Sequence, residues 1–369
     1  MKDFLTPKVE KVMRSFAIVA HLSRQKCATT IILSLIRSRK VQLQELALVF
    51  NSAAKEESNE RRMQAFFKDC ELNEDQVAFL LSLFLLFGKV DLCLDRTEWN
   101  LGKCQVNLLV LSANCRGVGL PLYVEYLDNK SGNSSTADRI AILKKAIALL
   151  GKERIGSVMA DREFVGQDWL DYLLKEEITF FLRLPKHYYF RVNGTKLQAE
   201  SLLASRRECQ LDNVEVLGIS GLSVAMKKVV NQQGKADFLI VLTNTFAYQA
   251  LRAYQKRWSI ETMFQDFKSQ GFDLEGTHLK EAYKLKKLVY LVSIAYAFCL
   301  QVGLYYEKKI APISKKNHGY RSKSLFRKGL DSLRRMIERK TEQHLQFWQT
   351  ILDAFIHLAV VKLLYNKRL

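Results

Sequence analysis

The first 88 residues place apolar positions at a helical period. Lys26–Ser38 repeats them every three to four residues and stops at Ser38-Arg39-Lys40. Val41–Phe50 is a short second amphipathic segment closed by Asn51-Ser52, and a third begins near Asn59. Short helices with tight connections fit a helix-turn-helix-like DNA-binding unit, and a plain three- or four-helix bundle nearly as well. At Val90 the period changes to two. Val90–Asp95 alternates, Asn100–Lys103 reads as a turn, Val106–Leu111 as a second strand, Gly117-Val118-Gly119 as a second turn and Leu120–Leu127 as a third strand. Ser134-Ser135-Thr136 then caps a helix through Leu150, with Asp138 in its first turn. Ile155–Ala160 is a short apolar strand ending at Asp161, Gly166–Glu176 a helix, and Ile178–Leu184 another strand. The order β-β-β-α-β-α-β predicts a mixed α/β layer.

From Pro185 to Thr243 the pattern is mostly β, with its clearest hairpin at Leu222–Val230, Asn231-Gln232-Gln233-Gly234 and Asp237–Leu242. Helix resumes near Ala247 and dominates to the end. A β-rich insertion at about 185–243 thus interrupts an α/β unit spanning 89–281, flanked by helical regions 1–88 and 282–369. The apolar run Leu288–Tyr306 contains Ser293, Gln301 and Gly303, and reads as a buried helix rather than a bilayer span.

Charge changes the picture. The chain of 369 residues carries 57 Lys+Arg against 38 Asp+Glu, a net of +19. Residues 1–40 hold +7, 41–88 hold −4, 89–281 hold +3 and 282–369 hold +13. Basic flanks around a nearly neutral centre suit an enzyme core with nucleic-acid-gripping ends, although Lys-rich solvated helix faces produce the same tally. Seven cysteines without a CxxC exclude a zinc ribbon or a disulfide framework, and the N-terminus lacks a signal-peptide pattern. A reducing, cytoplasmic compartment is the expectation.

The candidate chemistry begins with Tyr254, Arg257, Glu261 and Lys268. At 100° per residue they fall within about 60° of one another on one predicted helix. Alone, such a stripe could be a solvated face with an i,i+4 ion pair. Asp95 and Asp161 each follow an apolar strand, Leu92-Cys93-Leu94 and Val158-Met159-Ala160. A carboxylate there is costly unless something pairs with it, although a turn Asp is the commoner case. Two aspartates from separate strands and a glutamate from a later helix could bind a pair of hard divalent ions and clamp a phosphodiester.

The neighbouring residues sharpen this. The chain reads Asp95-Arg96-Thr97-Glu98-Trp99, then Asp161-Arg162-Glu163-Phe164-Val165-Gly166, then Tyr254-x2-Arg257-x3-Glu261-x6-Lys268. This closely resembles the DDE transposases of bacterial insertion sequences, in the insertion-sequence-four family, whose Tyr-Arg-Glu-Lys signature surrounds the catalytic glutamate. The resemblance implies an RNase H-like catalytic core with a β-rich insertion. It implies Asp95, Asp161 and Glu261 as catalytic ligands of two Mg²⁺ ions, with Mn²⁺ as substitute. It implies Tyr254, Arg257 and Lys268 on a phosphate near the cleaved end, with Arg162 as a further strand contact. Some relatives hold a flipped base on an aromatic residue, for which Trp99, Tyr254 and Trp258 are candidates. The partners implied are double-stranded DNA, as terminal inverted repeats and target, and a second copy in a homodimeric synaptic complex, with no membrane. The place implied is the nucleoid of a bacterial cytoplasm. A non-catalytic DNA-binding protein and a membrane-surface protein are the rival readings.

Overall fold

The computed structural model describes residues 5–339, apart from 86–87, 103, 128–131, 231–233, 318 and 320, together with 346 and 350. The turn residues Lys103 and Asn231–Gln233, the loop residues His318 and Tyr320, and most of the basic C-terminal end beyond Arg339 lie outside the described residues.

Five helices open the chain: α1 (Leu5–Ser15), α2 (Leu22–Ser38), α3 (Leu43–Leu48), α4 (Glu56–Asp69) and α5 (Glu74–Ser82). Three strands follow, β1 (Val90–Leu101), β2 (Cys104–Cys115) and β3 (Val118–Tyr126), then α6 (Thr136–Leu150), β4 (Ile155–Ala160), α7 (Gln167–Lys175) and β5 (Phe180–Arg183). Next come β6 (Tyr189–Val192), β7 (Thr195–Gln198), α8 (Ala199–Leu202), β8 (Glu208–Val216), β9 (Ile219–Val230) and β10 (Ala236–Thr243). The elements described end with α9 (Ala247–Tyr254), α10 (Trp258–Phe267), α11 (Ala282–Lys309) and α12 (Leu325–Arg339).

The strands form one ten-stranded sheet in the order β3-β2-β1-β4-β5-β10-β9-β8-β6-β7. Among the described residues, the parallel pairs are those of β4, with β1 on one side and β5 on the other. The fold is therefore mixed α/β with a large, mostly antiparallel sheet. The insertion joins this sheet rather than forming a separate one, because β10 pairs antiparallel with β5 through Leu242 and Leu182. The meander strands run longer than the alternation predicts. Val106 through Asn114 is buried at all but its last position, so both faces of β2 are covered and period two vanishes there. The α6 start is as expected: the Ser135 side chain accepts from the Asp138 N–H, and Asp138 accepts from the Ser135 N–H.

The long apolar helix α11 is a core element. It is long and apolar enough to cross a membrane, yet 83% of its most apolar stretch is buried inside the protein. It packs against α2, α4, α5, α12 and β3. Helix α2 is buried without a break from Cys27 to Ile36 and also touches α12, so the N-terminal and C-terminal helices meet. Two glycines allow that layer to close. A Cβ on Gly303 would stand 2.0 Å from the Leu325 carbonyl oxygen, and one on Gly329 would stand 1.7 Å from that of Cys299. Only glycines let α11 and α12 approach so closely.

Candidate active site

Parallel pairing of β1 and β4 sets Leu94 opposite Ala160. Asp95 and Asp161 are the next residues of these two neighbouring strands, so the sheet brings them side by side. Glu261 arrives from α10, which packs on β3, β1 and β2. That packing depends on Gly119 of β3: a Cβ there would lie 2.7 Å from the Ser259 carbonyl oxygen.

Tyr254, Arg257, Glu261 and Lys268 do not share one continuous helix. Helix α9 ends at Tyr254, residues Gln255–Arg257 form a 3-10 turn, and α10 begins at Trp258. The Lys256 carbonyl is held from outside, by Asn114 Nδ2 at 3.0 Å and the Cys93 thiol at 3.9 Å, which pins this turn against β1 and β2. Lys268 has left α10, with ψ at −123°.

The break still brings most of the signature together. Arg257 Nη1 donates to Asp95 Oδ2 at 2.9 Å, and its Nη2 donates to Glu261 Oε1. The guanidinium is buried and lies 5.4 Å from the centre of the Tyr254 ring. Tyr254, buried as well, donates its hydroxyl to Asp161 Oδ1 at 3.5 Å. Arg183, at the end of β5, places Nη1 3.6 Å from the same oxygen and Nη2 3.4 Å from Asp237 of β10. Both aspartates also accept the following residue's N–H at 2.8 Å.

Burial drives the electrostatics. It pushes the Asp95 carboxyl up to about 6, against the Arg257 charge, which pulls it down, while Asp161 raises it further. Burial likewise raises the Tyr254 hydroxyl, so it stays protonated and a donor. For Arg257, burial lowers the pKa, but Tyr254 and the three carboxylates outweigh it and raise it. This arginine is a permanent cation among acids.

Two expected contacts sit apart from this cluster. Lys268 pairs with Glu275 at 2.7 Å and lies 5.8 Å from the Trp99 ring centre. Arg162 is exposed on the short turn just after Asp161. Of the aromatic candidates, Trp99 is buried, whereas Trp258 is 60% exposed at the start of α10. Beneath the site, Arg96 clamps the Glu163 carboxylate through Nε at 3.2 Å and Nη2 at 3.3 Å, tying the two aspartate segments together. Buried Arg139 adds a bond to the Glu163 carbonyl at 3.1 Å.

Sequence reasoning missed Arg183. The signal was present: Phe180-Phe181-Leu182 is an apolar strand ending in a charged residue, the pattern that singled out Asp95 and Asp161.

Among the described residues, no three His, Cys, Asp or Glu side chains stand close enough to enclose a metal ion. The donor set nonetheless fits a hard divalent cation. Three carboxylates come from β1, the end of β4 and α10, and the Arg257 guanidinium between Asp95 and Glu261 offsets only one of their charges.

A transposase DDE domain family model matches residues 88–298. No curated protein matches. Among solved structures, the chain is similar to a piggyBac transposase in a synaptic complex with hairpin DNA, solved by cryo-EM. The likeness has 10% identity and a TM-score of 0.44, and covers 95% of this chain and 83% of that one. The family match takes in more than half of the chain, with Asp95, Asp161 and Glu261 all inside it, and on that ground the chain belongs to the DDE transposases, enzymes that move DNA by strand cleavage and strand transfer.

Proposed function

We propose that this transposase carries out cut-and-paste transposition of a bacterial insertion sequence of the insertion-sequence-four family. In this reading residues 89–281 are an RNase H-like core with its β-rich insertion at 185–243. The helical region 1–88 binds the element's ends, and the basic region 282–369 contacts DNA, a second copy, or both. The enzyme works on the nucleoid as a homodimer that pairs two terminal inverted repeats and then engages target DNA.

Asp95, Asp161 and Glu261 would hold two Mg²⁺ ions, or Mn²⁺ in their place. Such ions, when bound, supply Lewis-acid charge at the scissile phosphate and make water a nucleophile at neutral pH. The protein's own residues do the positioning. Arg257 bridges Asp95 and Glu261 and offsets one of their two negative charges. Tyr254 and Arg183 fix the Asp161 carboxylate from the side of the insertion. The Arg96–Glu163 clamp holds the two aspartate segments in register. Arg162, exposed beside Asp161, would reach a strand, and Arg257, Tyr254 and Lys268 would contact the end's phosphate, Arg257 and Tyr254 by exchanging the carboxylates they hold here once those acids serve as metal ligands.

The observation that carries this reading is that Asp95 and Asp161 directly follow the paired residues Leu94 and Ala160 of neighbouring parallel strands, with Glu261 joined to Asp95 through one buried arginine. The test uses duplex DNA that includes the sequence flanking the coding region, incubated with Mg²⁺. Wild type should cut at the element's boundary and leave a 3′-OH. Asp95→Ala, Asp161→Ala and Glu261→Ala should each bind the duplex and fail to cut it. Binding without cutting by the wild type would favour a DNA-binding protein that has lost catalysis.

A further inference from the structure

A basic groove lies at the far end of α10 from Tyr254 and the two aspartates. It opens where the C-terminus of α2, the turn after α10 and α12 meet. One part, of about 470 Å³, is lined by Arg39, Ser269 and Arg334; an adjoining part, of about 410 Å³, is lined by Arg39, Ser269, Lys323 and Arg327. None of these residues belongs to the catalytic cluster.

The charge here is only partly spent internally; Arg327 donates Nη1 to the Gln270 carbonyl at 3.4 Å. Arg39 binds only backbone carbonyls, Gln270 O at 2.9 Å and Gly271 O at 3.4 Å. Arg334 reaches Glu338 only at 3.9 Å, and its Nε is buried without a partner. Asp331 serves Lys323 at 2.8 Å and Arg327 at 3.2 Å, so one carboxylate faces two cations. Asp273 is taken by Lys40 at 2.8 Å. Burial pushes the Asp266 carboxyl up to about 7, so at neutral pH it offsets only part of the excess. Arg39 feels the crowding: burial first, then the like charges of Arg327 and Arg334, pull its pKa down.

The backbone is held against preference too. Arg39 and Asp273, both on the groove, sit in the left-handed region with φ of 61° and 57°. Arg39 ends α2 as its left-handed cap, with its N–H on the Leu35 carbonyl at 2.9 Å, which fixes where its side chain leaves the helix. Residues 340–369, almost all outside the described residues, are themselves net basic. They carry Lys340, Lys362, Lys367 and Arg368 against Glu342 and Asp353.

We infer that this groove binds the sugar-phosphate backbone of DNA outside the catalytic carboxylates, with Arg39, Arg327 and Arg334 as its phosphate contacts. Three guanidiniums with unspent donors beside a serine hydroxyl match phosphodiester oxygens in charge and geometry. The placement suits a strand already engaged at the active site. Glu261 and Phe267 are separated by about 9 Å of helix at 1.5 Å per residue, and the groove starts just beyond, within about three base pairs of duplex axis at 3.4 Å each. Contacts of this kind fix position and carry no sequence information. The inference rests on the proposed function only in taking DNA as the polymer bound.

The probe is a fluorescent duplex of arbitrary sequence, titrated into full-length protein across roughly 50–200 mM salt. Each lost phosphate contact lowers the slope of log K against log salt by about 0.9, so the fall in affinity over that range becomes about threefold shallower per contact. Arg334→Gln, which breaks no backbone hydrogen bond, should lose about one such contact, and Arg334→Lys should restore the slope. The variant combining Arg39→Gln, Arg327→Gln and Arg334→Gln should lose about three, whereas Arg191→Gln, an exposed arginine of the insertion paired with Glu215, should leave the slope unchanged. An unchanged slope for Arg334→Gln, or a loss that Arg334→Lys fails to restore, overturns the inference. So does a slope change seen only with anionic lipid vesicles and not with DNA. A wild type that never cuts flanking DNA, yet shows these slope changes, would sink the proposed catalysis and leave the groove standing.

Discussion

Arg257 donates to Asp95 at 2.9 Å, and this single guanidinium is also the partner of Glu261, so two carboxylates of the candidate triad share one buried cation. The arrangement reconciles burial with charge. Burial has pushed Asp95 up to about 6, and Arg257 keeps it from rising further. Arg257→Gln should therefore raise the Asp95 carboxyl by roughly 1 pH unit or more. Carbon NMR of the Asp95 carboxyl across a pH titration reads this without any need for activity. A titration that stays in place, or moves to lower pH, would show that Arg257 does not control this acid.

The same burial has a cost in stability. The folded-state pKa of Asp95 lies above its ordinary value of 3.8, so the folded protein binds the more protons between those two values. Stability contributed by the neutral acid is present below about pH 4 and is lost as pH rises through about 6. Asp95→Asn keeps the neutral form at all pH values. In the absence of divalent ions it should raise the melting temperature at pH 7, by an amount worth about 1–3 kcal/mol, and leave it nearly unchanged at pH 4. Thermal melts of both proteins at the two pH values decide this. Equal melting temperatures at pH 7 would mean that the ionised carboxylate is fully compensated.

Gly119 is the point where α10 leans on β3. Gly119→Ala would press a methyl group onto the Ser259 carbonyl, 2.7 Å away, and both atoms belong to or adjoin the backbone, so the helix itself must shift. The expected cost is about 1–3 kcal/mol. The rate of DNA cleavage should fall by more than DNA affinity does, since Glu261 rides on the displaced helix. A variant with wild-type melting temperature and wild-type cleavage would show that α10 can move freely here.

Much of this architecture was legible because local signals were strong. The Ser135 capping box, the clean start and end of β4 and the break at Asp161 all follow from short-range patterning. Asp95 and Asp161 were legible because each follows an apolar strand, where a carboxylate is expensive, whereas Glu261 stood out only through its spacing from Tyr254, Arg257 and Lys268. Long-range pairing was not legible. Nothing in the pattern of β10 reveals that it pairs with β5, since an apolar strand fits any covered position in a sheet. The helix stripe from Tyr254 to Lys268 was too simple for a similar reason. The turn at Gln255–Arg257 is pinned by Asn114 and Cys93, which lie far away in the chain, and uniform rotation of 100° per residue ignores such contacts. Arg257 itself was read as a phosphate contact, and in the folded protein its donors already serve Asp95 and Glu261.

The central claim is that Asp95, Asp161 and Glu261 work as metal ligands in DNA cleavage. Asp161→Cys tests it most directly, because a thiolate is a poor ligand for Mg²⁺ and a better one for the softer Mn²⁺. Cleavage of flanking-sequence duplex by Asp161→Cys should be lost in Mg²⁺ and recovered in Mn²⁺, whereas wild type should cut in both and Asp161→Ala in neither. Equal cleavage by Asp161→Cys in the two metals, or retained cleavage by Asp161→Ala, would contradict the account.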